Sequence, residues 1–199
     1  MTNDISLLLP SVLSKTKEDL FFQKGIVIWL TGLSGSGKST IAKLLEQKLK
    51  ADNYFSVVLD GDELRRTINK DLGFSEADRT ENIRRAAELA KLLVQKNVIT
   101  ICSFITPMQR QRAMAQSIVG GEMYYEVFID CPLTVCEERD VKGLYRKARN
   151  NEIKDFTGIG ADFEPAYNSW LTLHTGNEIP EESATILYQH IMPYIQPAP

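Results

Sequence analysis

Hydrophobic and polar positions alternate between two rhythms along the chain. Short apolar runs at Ile26 to Leu30, Phe55 to Leu59, Val98 to Phe104, Tyr124 to Ile129 and Leu171 to Leu173 read as strands, by length and by β-branched content. Between them lie longer stretches with helical spacing: Ser39 to Leu49, a long helix opened by Ser75, Arg110 to Val119, a short helix after Pro132, and Glu181 to Ile195. In the helix after Ser75, the residues Ile83, Ala86, Ala90, Leu93 and Val94 share one face. Ser75 with Asp78 beyond it gives the capping-box pattern that marks the start of that helix. Continuous apolar strands are covered on both faces, and strands that alternate with helices pair in parallel. The expected architecture is an α/β fold, a parallel sheet with helices on both faces.

A chain of 199 residues can bury one substantial core. The expected organisation is an extension over 1–24, carrying apolar patches at Leu7 to Leu9 and Leu20 to Phe22, followed by one domain over 25–199. The net charge of −3 argues against generic binding to nucleic acid or a membrane surface. No apolar run approaches the roughly 20 residues that span a bilayer. The N-terminus lacks the basic-then-apolar layout of an export signal, so the expected location is cytoplasmic. Cys102, Cys131 and Cys136 form no CxxC pair and read as packing residues, and His174 and His190 have no ligand-spaced neighbours.

Between the first strand and the first helix stands Gly32-Leu33-Ser34-Gly35-Ser36-Gly37-Lys38-Ser39, which fits G-x-x-x-x-G-K-[ST]. Glycines let the backbone curl so that successive N–H groups face phosphate oxygens, and the helix N-terminus adds partial positive charge. In this pattern Lys38 reaches the β- and γ-phosphates, and the Ser39 hydroxyl holds Mg²⁺. The motif gives a nucleoside triphosphate as the donor, remains compatible with a GTPase or motor module, and leaves the acceptor open.

Asp60-Gly61-Asp62 ends the second strand, at the sheet edge where doubly wound folds bind ligands. A phosphotransferase needs one carboxylate near the acceptor hydroxyl and one to organise Mg²⁺. The other reading is a turn in which Asp62 caps the following helix. Arg65, Arg66, Arg79, Arg84 and Arg85 follow, a cluster that suits an anionic acceptor even when some of its members are solvated or salt-bridged.

These residues carry a resemblance to adenylyl-sulfate kinases (APS kinases), extending from about Gly25 to at least Glu164. The matching motifs are Leu-Thr-Gly-Leu-Ser-Gly-Ser-Gly-Lys-Ser-Thr at 30–40, Leu-Asp-Gly-Asp at 59–62, Asp-Leu-Gly-Phe-Ser at 71–75 and Glu-Asn-Ile-Arg-Arg at 81–85. Cys-Glu-Glu-Arg-Asp at 136–140, Lys-Gly-Leu-Tyr at 142–145 and Phe-Thr-Gly-Ile at 156–159 continue the series in the same order. The resemblance implies a P-loop NTPase fold with a mobile lid over Arg139 to Gly160. It implies transfer of phosphate from MgATP to the 3′-hydroxyl of adenosine 5′-phosphosulfate, a step of sulfate assimilation. By the same resemblance, ATP lies on Gly32 to Thr40 and Arg139, and Lys38 and Asp62 are catalytic, with Ser39 and Asp62 holding the metal. The acceptor would meet Asp62, Arg65, Arg79, Asn82, Lys142, Gly143 and Leu144, with its adenine between Phe74 and Phe156. A homodimer and a functional link to ATP sulfurylase are also implied.

Several positions depart from the family pattern. Ile105-Thr106-Pro107 stands where Ile-Ser-Pro is usual, so Thr106 occupies the position of a serine assigned as a phosphorylated intermediate. Direct in-line transfer requires no such step. Gln109 replaces a frequent arginine, Glu63 a frequent asparagine, and the usual proline-rich pattern blurs over Ala166 to Trp170. These changes keep a second reading open, a related P-loop kinase for a different nucleotide-like acceptor.

Overall fold

The computed structural model describes residues 23–196, so the apolar patches at Leu7 to Leu9 and Leu20 to Phe22 lie outside the described residues. Five strands form one sheet: β1 (Val27–Thr31), β2 (Ser56–Asp60), β3 (Ile99–Ser103), β4 (Tyr124–Asp130) and β5 (Leu171–His174). Their order is β2-β3-β1-β4-β5 and every pairing is parallel. The helices are α1 (Lys38–Ala51), α2 (Gly61–Arg66), α3 (Glu76–Val94), α4 (Gln109–Val119), α5 (Leu133–Arg139), α6 (Leu144–Arg149) and α7 (Pro180–Ile195).

All five residues of the central strand β1 are buried, and its side chains alternate between two cores. Ile28 and Leu30 pack with Ile41, Leu45 and Leu49 of α1 and with Leu187, Ile191 and Ile195 of α7. Val27 and Trp29 pack on the other face with Ile83, Ala86, Ala87 and Ala90 of α3 and Ala115 and Val119 of α4. Each large side chain buried in this way contributes about 1.5–3 kcal/mol. The small residues on α3 let it lie close to the sheet over the wide Trp29 ring, which itself stacks on Phe104 at 5.1 Å.

Local signals set the helix ends. The Ser75 hydroxyl accepts the Asp78 N–H at 3.2 Å and donates to its carboxylate at 2.7 Å, which starts α3. Helix α7 opens with Pro180 in its first turn, followed by Glu181 and Glu182. Gln23 is buried and ties three backbone groups together, donating to Phe55 O at 2.8 Å and Asn97 O at 2.6 Å and accepting from Phe55 N at 2.7 Å. The Lys24 N–H donates to Ile195 O at 2.7 Å, so the packed unit already includes residues 23 and 24.

Strand β1 lies between β3 and β4, where the strand order changes direction. In doubly wound folds ligands bind at this point, beyond the C-terminal ends of the strands. The loops that leave β1, β2 and β3 converge on it.

Candidate active site

The loop from Gly32 to Gly37 joins β1 to α1. Gly32 has φ 152°, and a Cβ there would sit 2.6 Å from the Ile129 carbonyl oxygen. Gly35, at φ 77°, passes so close to α5 that a Cβ would meet the Cys136 carbonyl at 3.0 Å. Only glycine allows this path, which brings the loop under the start of α5. The Lys38 side chain folds back over the loop, with Nζ donating to Gly32 O at 2.9 Å and Leu33 O at 2.6 Å. Only 8% of the residue is exposed, and burial pulls its pKa down to about 8.

The acidic turn separates the roles of its two carboxylates. Asp60 is the N-cap of α2, its Oδ1 accepting the Asp62 N–H at 2.9 Å. Its Oδ2 accepts the Ser39 hydroxyl at 2.7 Å, and the Ser103 hydroxyl stands 3.2 Å from that of Ser39. Burial pushes the Asp60 carboxyl up, but hydrogen bonds from Ser39 and from the backbone of Asp62 and Glu63 outweigh it and hold the group below its ordinary range. The cap is therefore Asp60 and not Asp62, which replaces the turn reading. Asp62 is left about half exposed, and its carboxylate pairs with Lys142. The structure joins Ser39 to Asp60, a carboxylate to which the resemblance gives no metal role. Among the described residues no group of three or more His, Cys, Asp or Glu side chains could hold a metal. One carboxylate and two hydroxyls fit Mg²⁺, which takes few protein ligands and completes its shell with phosphates and water.

On the acceptor side, the Arg65 guanidinium lies 4.7 Å above the Phe74 ring and donates to Gly73 O at 2.6 Å. Phe74 is 69% exposed, a large apolar ring left open to solvent. Arg79 is a three-way tie: Nε donates to Phe74 O at 2.8 Å, Nη1 to the Thr157 hydroxyl at 2.6 Å and Nη2 to Asp155 O at 2.7 Å. Asn82 is buried on the same face of α3, one turn later. Arg84 and Arg85 pair with Glu81, and Arg85 also holds Asp71 through two bonds of 2.8 Å. They are surface ion pairs and stand apart from the site. Phe156 departs from expectation, because it is 8% exposed and packs edge-on against Tyr145 at 5.0 Å. The ring is sealed among Cys131, Cys136, Tyr145 and Ala148, so in this conformation it offers no free face opposite Phe74.

The segment from Arg139 to Gly160 touches both halves of the site. The Tyr145 hydroxyl donates to Ser34 O of the cradle at 2.9 Å, Lys142 reaches Asp62, and Asp155 and Thr157 receive Arg79. The Asp140 carboxylate accepts the N–H groups of Tyr145 and Arg146, each at 3.0 Å, and so starts α6. Gly143 has φ 66° and no atom near its missing Cβ, and it carries Lys142 and Leu144 on an open turn. Arg139 donates to Thr175 O at 2.6 Å, and the Thr175 hydroxyl in turn donates to Ser36 O at 2.7 Å. Of the basic residues in this segment, Arg149 is held by Glu137, whereas Arg146, Lys147 and Lys154 make no ion pair among the described residues.

Thr106 has a different environment. It is 1% exposed, has φ 43°, and its hydroxyl accepts the Trp29 indole N–H at 2.9 Å. Arg112 donates to its carbonyl at 3.1 Å and makes a charge contact with Glu126 at 3.0 Å that lacks hydrogen-bond alignment. A β-branched residue at positive φ is strained, and these partners hold it there. The hydroxyl is buried and engaged, an arrangement suited to supporting the loop and not to accepting a phosphoryl group. Sequence reading also passed over Asn69, Ser103 and Thr175, small polar residues whose role appears only through partners distant in the chain.

The sequence profile of the adenylylsulphate kinase family matches residues 24–174. A protein of Phocaeicola vulgatus named adenylyl-sulfate kinase is 50% identical over 181 residues, covering 91% of this chain and 89% of its own. A Halothermothrix orenii protein of the same name is 49% identical over 169 residues, covering 85% of this chain and 90% of its own. The structure of the Mycobacterium tuberculosis APS kinase in complex with AMPPNP and APS superposes with a TM-score of 0.81 at 44% identity, covering 83% of this chain and 96% of that one. With its parallel P-loop sheet and these relatives, the chain belongs to the adenylylsulphate kinase family.

Proposed function

We propose that this protein transfers the γ-phosphoryl group of ATP to the 3′-hydroxyl of adenosine 5′-phosphosulfate, giving 3′-phosphoadenosine 5′-phosphosulfate and ADP. The observation that carries this reading is the segment from Arg139 to Gly160, which bonds at once to the cradle through Tyr145 and Ser34 and to the acceptor side through Arg79. A donor site alone would need no such double attachment. The family and the relatives named adenylyl-sulfate kinase support the choice of acceptor.

In this mechanism the protein positions and stabilises charge, as phosphoryl transfer requires. Lys38, unfolding from the loop carbonyls, meets the β- and γ-phosphates, and their negative charge offsets the cost of burying its ammonium. Ser39 and Asp60, with Asp62 on the same turn, would hold Mg²⁺, which when bound would supply positive charge against the phosphate oxygens. Asp62 leaves Lys142, orients the 3′-hydroxyl and takes its proton. Arg65, Arg79 and Asn82 bind the acceptor and Phe74 stacks on its adenine. Phe156 completes that stack once the lid turns it out of the Tyr145 cluster. Lid closure excludes water that would otherwise take the phosphate. Thr106 supports the loop, and no phosphoenzyme forms.

No helix among the described residues is long and apolar enough to cross a membrane; a cytoplasmic place for the reaction belongs to the same proposal. Homodimerisation and functional coupling to ATP sulfurylase extend the same reading. The test is a coupled ADP-release assay over several candidate acceptors, with the product identified by mass. ADP release that ignores adenosine 5′-phosphosulfate and follows another nucleotide would move the assignment to that acceptor.

A further inference from the structure

Asn69 is completely buried in the turn after α2. Its backbone is fixed at both ends, the N–H donating to Leu64 O at 2.8 Å and the carbonyl accepting Leu72 N–H at 3.1 Å. Its side-chain Nδ2 donates to Oδ1 of Asn82 at 2.9 Å, inside the protein. The Asn69 Oδ1 is buried with no hydrogen-bond partner among the described residues. An unpaired buried polar atom is unfavourable, and in either polarity of this pair one atom of the Asn69 amide lacks a partner.

The consequence falls on Asn82. Its oxygen is occupied by Asn69, so the group left over is its Nδ2, which donates to nothing among the described residues. Asn82 sits one turn from Arg79 on the same face of α3, so the two present donors side by side. An acceptor rich in phosphate, sulfate and ribose oxygens calls for donors there. If both amides were reversed, the Asn82 Nδ2 would donate to the Asn69 oxygen, the Asn69 Nδ2 would be left without a partner, and a carbonyl would face the anion beside Arg79.

We infer that Asn69 is a positioning residue that fixes the donor polarity of Asn82 and so sets affinity for the anionic acceptor. This rests on the acceptor role proposed for Asn82. Asn69→Asp offers only acceptors in its charged form and turns the Asn82 nitrogen inward, whereas Asn69→Ala releases Asn82 to either orientation.

The experiment measures KM for adenosine 5′-phosphosulfate and for ATP in Asn69→Asp, Asn69→Ala, Asn82→Ala and the Asn69→Ala/Asn82→Ala double variant. Loss of one oriented hydrogen bond corresponds to an increase in acceptor KM of about three- to tenfold for Asn69→Ala, and more for Asn69→Asp. KM for ATP should stay within about twofold, and Asn69→Ala should add nothing once Asn82 is alanine. An acceptor KM that rises in Asn82→Ala but stays at the wild-type value in both Asn69 variants would overturn the inference alone. So would an Asn69→Ala effect equally large in both backgrounds. An acceptor KM unchanged in Asn82→Ala would instead overturn the acceptor role of Asn82, and this inference with it. Should Asn69→Asp fail to fold, the alanine cycle decides the matter.

Discussion

Replacing Lys38 by methionine separates what the residue does for stability from what it does for catalysis. The methionine keeps the apolar stem but removes the charge. In the folded protein the Lys38 pKa falls from 10.5 to about 8, because burial disfavours its ammonium form. The residue is almost fully covered, so solvent screening offers little relief. A drop of that size corresponds to roughly 3 kcal/mol of cost at neutral pH. The direction follows from proton counts. Between pH 8 and 10.5 the unfolded chain still binds the proton that the folded protein has lost. Stability of the wild type therefore gains with rising pH across this window, and Lys38→Met lacks that gain. Other ionisable groups are common to both proteins and cancel in the difference.

The assay is urea unfolding of the two proteins at several pH values from 7 to 10.5, without nucleotide. The stability difference, wild type minus variant, should move by about 3 kcal/mol in favour of the wild type over this range. At pH 7 the variant should be no less stable than the wild type, because the lost bonds to Gly32 and Leu33, worth about 1 kcal/mol each, are offset by removal of the buried charge. Transfer activity should fall by about 10²-fold or more. Parallel pH profiles would refute the claim that the cradle strains to hold this charge in the absence of phosphate.

Three further substitutions test other parts of the site. Asp62→Asn should lower kcat by about 10²-fold while KM for ATP stays within about twofold, in steady-state assays; unchanged turnover would remove Asp62 from proton transfer. Phe74→Ala should raise the acceptor KM by about tenfold, the worth of one lost base stack, and an effect on ATP alone would show that the two nucleotide sites are exchanged. Thr106→Ala should cost about 1–2 kcal/mol in thermal or urea unfolding by stranding the Trp29 N–H, yet leave kcat within a few-fold. Loss of turnover with stability intact would reinstate a covalent role for that hydroxyl.

Much of this fold was legible because burial writes itself into local patterns. The run Ile26 to Leu30 marks β1 because both faces of the strand are covered, and the strand extends to Thr31 because that residue is buried and its hydroxyl bonds to Ile105 O at 2.8 Å. The start of α3 was equally clear, since Ser75 and Asp78 interact across a single turn. The cradle was legible for the same reason, as Gly32 to Ser39 is one continuous loop and helix start. Legibility failed where function depends on a choice between equivalent groups. Spacing brings both Asp60 and Asp62 to the sheet edge, but only the approach of Ser39 decides that Asp60 caps α2 and Asp62 stays open. Phe74 and Phe156 look alike in sequence, yet one lies on an exposed turn beside Arg65 and the other is packed by a lid cluster formed from three separate segments. Asn69 gave no signal, because its meaning lies in one amide of a helix that begins several residues later.

In the proposed reaction one cleft joins an ATP cradle to a site for adenosine 5′-phosphosulfate. This is tested most directly by incubating the protein with MgATP and adenosine 5′-phosphosulfate and following ADP release while the acceptor is analysed by mass spectrometry and by phosphorus NMR. The expected result is ADP in equal amount to an acceptor heavier by one phosphoryl group, attached at the 3′-oxygen. ADP released with the acceptor unchanged, or with the phosphate on another oxygen, would contradict it.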